Sequence, residues 1–198
     1  MVKVNMSLME KARKKNKSDI VFLVVVLLMM FVMGAVVVLN TFVYFNVQVK
    51  GISMEPTMYD GDVLIANRLK KPTHGDIVII SGEKENGDLI IKRVIAMEGD
   101  TVMINPAEDG VYVKYAGTNE FVKLDEPYVK GVTGCRDWQT RELEEGEIFY
   151  LGDNRENSND SRTLSYSTCD LSQIDGVIEE WSFRIKGFSS KLRFLSFV

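Results

Sequence analysis

Lys50-Gly51-Ile52-Ser53-Met54-Glu55-Pro56-Thr57-Met58 divides two different kinds of sequence. A long apolar segment precedes it, and short alternating runs broken by Gly-Asp pairs follow it. Within the stretch one serine stands between a glycine, which lets a backbone approach closely, and a proline, which fixes φ three residues on. Such a serine sits on a shaped turn. Alone, Ser-x-x-Pro is ordinarily a turn at the end of a strand; its meaning depends on the sequence to either side.

On the N-terminal side, residues 20–39 carry no charge and are rich in Val, Leu and Met. A helix of that length spans about 30 Å, the thickness of a hydrocarbon core. Lys11, Arg13, Lys14, Lys15 and Lys17 cluster just before it and nothing comparable follows directly, which predicts a cytoplasmic N-terminus. A cleavable leader would have a shorter apolar core and small residues at alternate positions beyond it. The exit Leu39-Asn40-Thr41-Phe42-Val43-Tyr44-Phe45 offers no such site, so the segment reads as an uncleaved anchor in the lipid bilayer. The expected organisation is a basic cytoplasmic segment at 1–19, a transmembrane anchor at 20–45 and an extracytoplasmic domain at 46–198.

On the C-terminal side the pattern predicts strands near 45–49, 63–68, 77–80, 89–97, 101–104, 111–115, 148–151 and 177–185. Gly-Asp pairs at Gly61, Gly75, Gly87, Gly99 and Gly152 punctuate them as turns. No later stretch has a helical period of useful length. The fold class expected is mainly β: one N-terminal transmembrane helix followed by an antiparallel β-rich domain. Residues 187–198 alternate basic and apolar side chains, which suits a last strand, a frayed end or a segment on the membrane surface.

Composition excludes several functions. A net charge of −4 without a basic aromatic stripe disfavours nucleic acid. One histidine, His74, in a Pro-Thr-His-Gly turn, reads as a solvated loop residue and leaves a Ser-His-Asp triad without a second choice of base. One His and two Cys make a zinc site improbable, so no metal or cofactor is expected. Cys135 and Cys169 flank the polar stretch 152–162, and a disulfide and two reduced thiols remain open for them.

If Ser53 is a nucleophile, a lysine can take its proton only where apolar surroundings lower the amine pKa. Leu89-Ile90-Ile91-Lys92-Arg93-Val94-Ile95-Ala96 provides such surroundings. In a regular strand Lys92 shares a face with Ile90, Val94 and Ala96, and Arg93 shares the other with Ile91 and Ile95. Periodicity does not decide which charge is buried, but arginine stays protonated and is no base. A lysine that merely protects a strand edge is the plainer alternative. A third stretch, from Gly152 to Arg162, has no apolar side chain and interleaves Asp, Arg, Ser and Asn, as a hydrogen-bonded scaffold would.

Taken together these stretches resemble the boxes of type I signal peptidases, membrane-bound Ser–Lys proteases that remove signal peptides from exported proteins. Ser53-Met54-Glu55-Pro56-Thr57 resembles the nucleophile box and Gly75-Asp76-Ile77-Val78 the strand box that follows. Lys92-Arg93-Val94-Ile95 with Gly99-Asp100 resembles the base box, and Gly152 to Arg162 the last box. The resemblance extends to the basic N-terminus and single anchor of the short Gram-positive form. It implies Ser53 as nucleophile and Lys92 as general base, with Ser158 hydrogen-bonding the lysine amine and Asp153, Asp160 and Arg162 bracing the loop. Met54, Val49, Met58 and Ile91 would line a narrow pocket for a small side chain. The implied partners are signal-peptide-bearing preproteins cut at Ala-x-Ala sites. Gly51 stands where some members carry a serine that helps hold the oxyanion; Ala96-Met97-Glu98 and Thr163-Leu164-Ser165 also depart from the family pattern. The rivals are another kind of Ser–Lys protease and a tethered β domain without catalysis, in which Ser53 and Lys92 would be exchangeable.

Overall fold

A computed structural model describes residues 6–81, 89–105, 109–134, 139–163 and 168–185. Cys135 and residues 187–198 lie outside the described residues, and with them the choice between a disulfide and two reduced thiols and the readings of the tail. The chain divides into two units, 1–43 and 44–198.

The first unit is a helix, α1 (Met6–Val38), ending in one wider turn at Leu39–Val43. Within its stretch Asn16–Val43 an 18-residue window has a mean hydropathy of 3.2 and none of that window is buried, so by length and composition the helix can cross a membrane. At 1.5 Å per residue it is about 40 Å long, enough for a hydrocarbon core. Near its end, Asn40 Nδ2 and Thr41 Oγ1 donate back to the carbonyls of Val36 and Val37, four residues earlier, at 2.9 and 2.8 Å. The helix starts well before residue 20, so the basic segment expected to precede the anchor is largely part of it.

The second unit is antiparallel β. Its strands are β1 (Tyr44–Gln48), β2 (Val63–Asn67), β3 (Ile77–Ser81), β4 (Leu89–Met97), β5 (Thr101–Asn105), β6 (Gly110–Lys114), β7 (Val122–Lys123), β8 (Gln139–Glu142), β9 (Glu147–Leu151), β10 (Cys169–Asp170) and β11 (Ile174–Ile178). Seven form one sheet in the order β1-β2-β11-β3-β4-β9-β10, and four form another in the order β7-β6-β5-β8. Strand β3 shows why residues 77–80 are apolar without a break. Ile77 and Ile79 join one core cluster with Leu64 and Met58, while Val78 and Ile80 join another with Val94 and Tyr150. Both faces of the strand are covered. A third cluster, including Val102, Val113, Phe149 and Leu151, joins residues of both sheets.

Two expectations need correction. The last strand ends at Ile178 rather than 185, because a short 3-10 helix, Glu180–Ile185, follows. Ser182 causes this locally: its N–H and its hydroxyl both donate to the Glu179 carbonyl, turning the chain out of the sheet. Strand β4 does not keep a regular alternation either. A register shift between Val94 and Ala96 against β9 places Ala96 beside Ile95 in the core shared by the two sheets, away from the Val94 cluster. The strands that the pattern missed (β7, β8 and β10) are short and have little apolar alternation to read.

Candidate active site

The Ser53 loop leaves the sheet at Val49 and returns at Asp62. Val49 N–H donates to the Asp62 carbonyl at 2.8 Å and Gly61 N–H to the Val49 carbonyl at 2.9 Å, which closes the base of the loop. At Gly51 φ is +85°, a conformation L side chains rarely adopt, and its N–H donates to Asp60 Oδ1. Met54 and Met58 are 1% and 0% exposed and anchor the loop in the core, while Ser53 stays half-buried. Val49 belongs to the same cluster as Met54 and Met58, and Ile91 packs against it, so all four residues assigned to the pocket come together.

Lys92 lies in the middle of β4, paired with Val78 of β3, and is 5% exposed. Its Nζ lies 2.9 Å from Ser53 Oγ and donates to the Ile91 carbonyl at 3.0 Å. Burial lowers the amine pKa from 10.5 to about 8, against the opposing charges of Asp160 and then Asp153. Arg93 also lies mostly away from solvent, but it is paired: Nε and Nη2 donate to the two oxygens of Asp153 at 2.8 and 2.6 Å. Burial works most strongly against the guanidinium charge, yet the bond to Asp153, together with the charges of Asp153, Tyr128 and Glu126, outweighs it and raises the pKa overall.

The polar stretch after β9 folds onto the Ser53 loop. Asn154 N–H donates to the Ser53 carbonyl and Asn154 Nδ2 to the Ile52 carbonyl, both at 3.0 Å. Thr57 Oγ1 donates to Asp153 Oδ2. Arg162 grips Asp160 through Nε and Nη2 at 2.7 and 2.9 Å and donates to the Arg155 carbonyl, while Gly152 N–H donates to Asp160. Gly152 must be glycine: a Cβ there would stand 2.2 Å from Ser158 Oγ and 2.6 Å from the Ser53 carbonyl oxygen. Asp153, Asp160 and Arg162 thus all take part in the bonds that tie this loop together. Ser158 does not make the expected bond to Lys92; its Oγ is buried without a hydrogen-bond partner.

Several residues at this site escaped the sequence reading. The Arg155 side chain is fully buried; its Nη groups bind Glu126, and it also donates to Thr133 Oγ1 and the Gly152 carbonyl. Tyr128 places its ring under Arg93. Pro127, between Glu126 and Tyr128, is the local sequence cue to a turn in that segment. His74 is not simply solvated: Nε2 lies 2.6 Å from Asp100 Oδ2, whose side chain is 3% exposed, and its ring meets Tyr115 edge-on. It contacts neither Ser53 nor Lys92 through any of these bonds. A cleft of about 270 Å³, bordered by Thr57, Asp76, Arg93 and Glu180, adjoins the same loops but includes neither member of the Ser–Lys pair. Among the described residues no group of three or more His, Cys, Asp or Glu is arranged to hold a metal ion. Cys169 carries a buried thiol whose pKa is pushed up to about 12 by burial and then by the Asp170 charge.

Residues 22–182 match the family described as signal peptidase, peptidase S26. A signal peptidase I of Bacillus licheniformis is 31% identical over 167 residues, covering 78% of this chain and 84% of that protein. Signal peptidase I U of Bacillus subtilis strain 168 is 30% identical over 165 residues, covering 77% and 80%. A crystal structure of a signal peptidase I from Enterococcus faecalis V583 aligns with a TM-score of 0.44 at 28% identity, covering 56% of this chain and 98% of that one.

Proposed function

Because this chain belongs to the signal peptidase family, peptidase S26, we propose that it is a membrane-anchored serine endopeptidase that removes signal peptides from preproteins with a Ser53–Lys92 dyad. The observation that carries the dyad is the 2.9 Å approach of Lys92 Nζ to Ser53 Oγ at a site dry enough to bring the amine pKa to about 8. A neutral amine takes the serine proton as Oγ bonds to the scissile carbonyl carbon. The resulting oxyanion is met by the Ser53 backbone N–H, since Gly51 has no hydroxyl to offer. As the C–N bond breaks, the Lys92 ammonium returns its proton to the leaving amine, leaving an acyl ester on Ser53. Water then gives a proton to Lys92 and attacks the ester; the proton passes to Ser53 Oγ as the signal peptide leaves with a new carboxyl end. Ser158 Oγ, buried without another partner, is read as the acceptor that steadies the ammonium during these steps.

The substrate is read as an extended segment with small residues at alternate positions, as at an Ala-x-Ala site. Val49, Met54 and Met58 are nearly fully buried, so a large substrate side chain entering here would have to displace packed core. The anchor assigned at 20–45 is read as ending at Val43, since Tyr44 and Phe45 pair with β2, and the chain from there to 198 as the catalytic domain. The basic residues before the anchor support a reading with the N-terminus in the cytoplasm and the domain outside. Protease added to intact protoplasts should then degrade the domain; protection of the domain would reverse this orientation.

The decisive test uses the detergent-solubilised full chain and a preprotein with an Ala-x-Ala site, with the cut position read by mass. Ser53→Ala, Lys92→Ala and Lys92→Arg should each yield no product, the last because a guanidinium does not release its proton. Full activity in Ser53→Ala would remove the dyad.

A further inference from the structure

Two carboxylates stand close to Lys92, and neither has a chemical part in the dyad. Asp153 and Asp160 are both 0% exposed, and their charges favour the protonated lysine. Each is matched by its own guanidinium: Arg162 on Asp160, and Arg93 on Asp153 through a two-pronged bond. The second pair is held from afar. The Arg93 guanidinium carbon lies 3.8 Å from the centroid of the Tyr128 ring. The Tyr128 hydroxyl donates at 2.9 Å to Glu126, whose carboxylate also takes Arg155. Burial keeps that phenol neutral and able to donate, pushing its pKa far above its usual value. Glu126 and Tyr128 lie between β7 and β8, the two outer strands of the four-stranded sheet. Their segment is fastened to the polar loop by Lys130 N–H on the Asp153 carbonyl and Arg155 N–H on the Lys130 carbonyl, both at 2.9 Å.

We propose that Arg93, clamped by the Glu126–Tyr128 strap, is a positioning residue that neutralises Asp153 and so keeps Lys92 free to act as a base. The inference rests on the reading of Lys92 as that base. A buried carboxylate left without its partner attracts a nearby ammonium, and one opposite charge within ~4–6 Å typically moves a pKa by about 1–3 units. Two such carboxylates would undo much of what burial achieves for the lysine. The other charged groups around the site are already matched: Glu126 by Arg155, Glu55 by Lys130, Asp76 by Lys70, and Asp100 faces His74. Glu156 is exposed and is screened by solvent. Arg93–Asp153 and Arg162–Asp160 are thus the pairs whose balance Lys92 feels directly. Tyr128 covers one face of the Arg93 guanidinium, excluding water and keeping both prongs on Asp153.

The test compares Arg93→Met, Asp153→Asn and the double variant as full-length protein in detergent micelles. A fluorogenic peptide spanning an Ala-x-Ala site reports kcat and KM from pH 6 to 10.5. Arg93→Met strands the carboxylate, so the midpoint of the rise in kcat/KM should move up by about 1 unit or more. Asp153→Asn strands the guanidinium, so the midpoint should move down. The double variant removes both charges and should return near the parent midpoint, and KM should change less than kcat at neutral pH. A purely structural role for the pair would lower the rate by one factor at every pH; that result, or shifts of the same sign in both single variants, overturns the proposal. Where Arg93→Met does not fold by circular dichroism, Tyr128→Leu replaces it. Tyr128→Leu should raise the midpoint more than Tyr128→Phe, which keeps the ring, and equal midpoints for both would likewise overturn it. A parent enzyme with no alkaline midpoint, or an active Lys92→Ala, would instead refute the base assignment on which the inference stands.

Discussion

Lys92→Met exchanges a buried amine for an unbranched thioether of similar reach and leaves the rest of β4 unchanged. The amine pKa falls from 10.5 to about 8 on folding. At about 1.36 kcal/mol per pH unit, holding the proton on Lys92 costs the folded state about 3 kcal/mol at neutral pH. The sign follows from proton counting. Between about pH 8 and 10.5 the unfolded chain binds more protons at this lysine, so parent stability rises with pH across that window. Below pH 8 the penalty is fully present, and above 10.5 it is gone. Methionine does not titrate, so its advantage should be greatest at pH 7 and fade towards pH 10.5. From the roughly 3 kcal/mol, about 1 kcal/mol is offset by the lost hydrogen bonds to Ser53 and the Ile91 carbonyl. The remaining ~2 kcal/mol corresponds to a Tm higher by about 4–8 °C for a domain of this size. Thermal unfolding of the full chain, followed by the β signal in circular dichroism at pH 7 and pH 10, measures it. The variant should be inactive and more stable. A Met variant no more stable than its parent at pH 7, or equally favoured at pH 10, would refute the idea that burial has lowered this pKa.

His74→Ala should leave the pH dependence of cleavage as it is but destabilise the fold by about 1–3 kcal/mol, because Asp100 loses its side-chain partner while remaining buried; urea midpoints alongside kcat separate the two effects. Gly152→Ala should reduce kcat at least a hundredfold, since the new methyl collides with Ser158 and with the Ser53 carbonyl, and a misplacement of about 1 Å costs about that much. Glu126→Ala leaves the fully buried Arg155 guanidinium without its carboxylate and should destabilise the domain by about 3–5 kcal/mol in denaturant unfolding.

Much of this protein is legible in one dimension because the forces involved are local or periodic. An uncharged run of membrane length needs no partner to be read, and strand alternation together with Gly-Asp turns located eight of the eleven strands among the described residues to within a few residues, apart from the last strand's end. The boxes around Ser53, Lys92 and residues 152–162 were likewise visible, as side-chain types held in short order. What the sequence left open was which of two adjacent charges, Lys92 or Arg93, loses its water. Both sit among apolar neighbours, and only the closed structure supplies the difference: Arg93 meets Asp153, 60 residues on, whereas Lys92 meets an uncharged hydroxyl. The bulge that moves Ala96, the Glu126–Arg155 pair and the bond between His74 and Asp100 are of the same kind. Each depends on how two sheets and three loops close on one another. A charge's proton affinity depends on the solvent it loses and the partners it gains, and those partners lie far away along the chain.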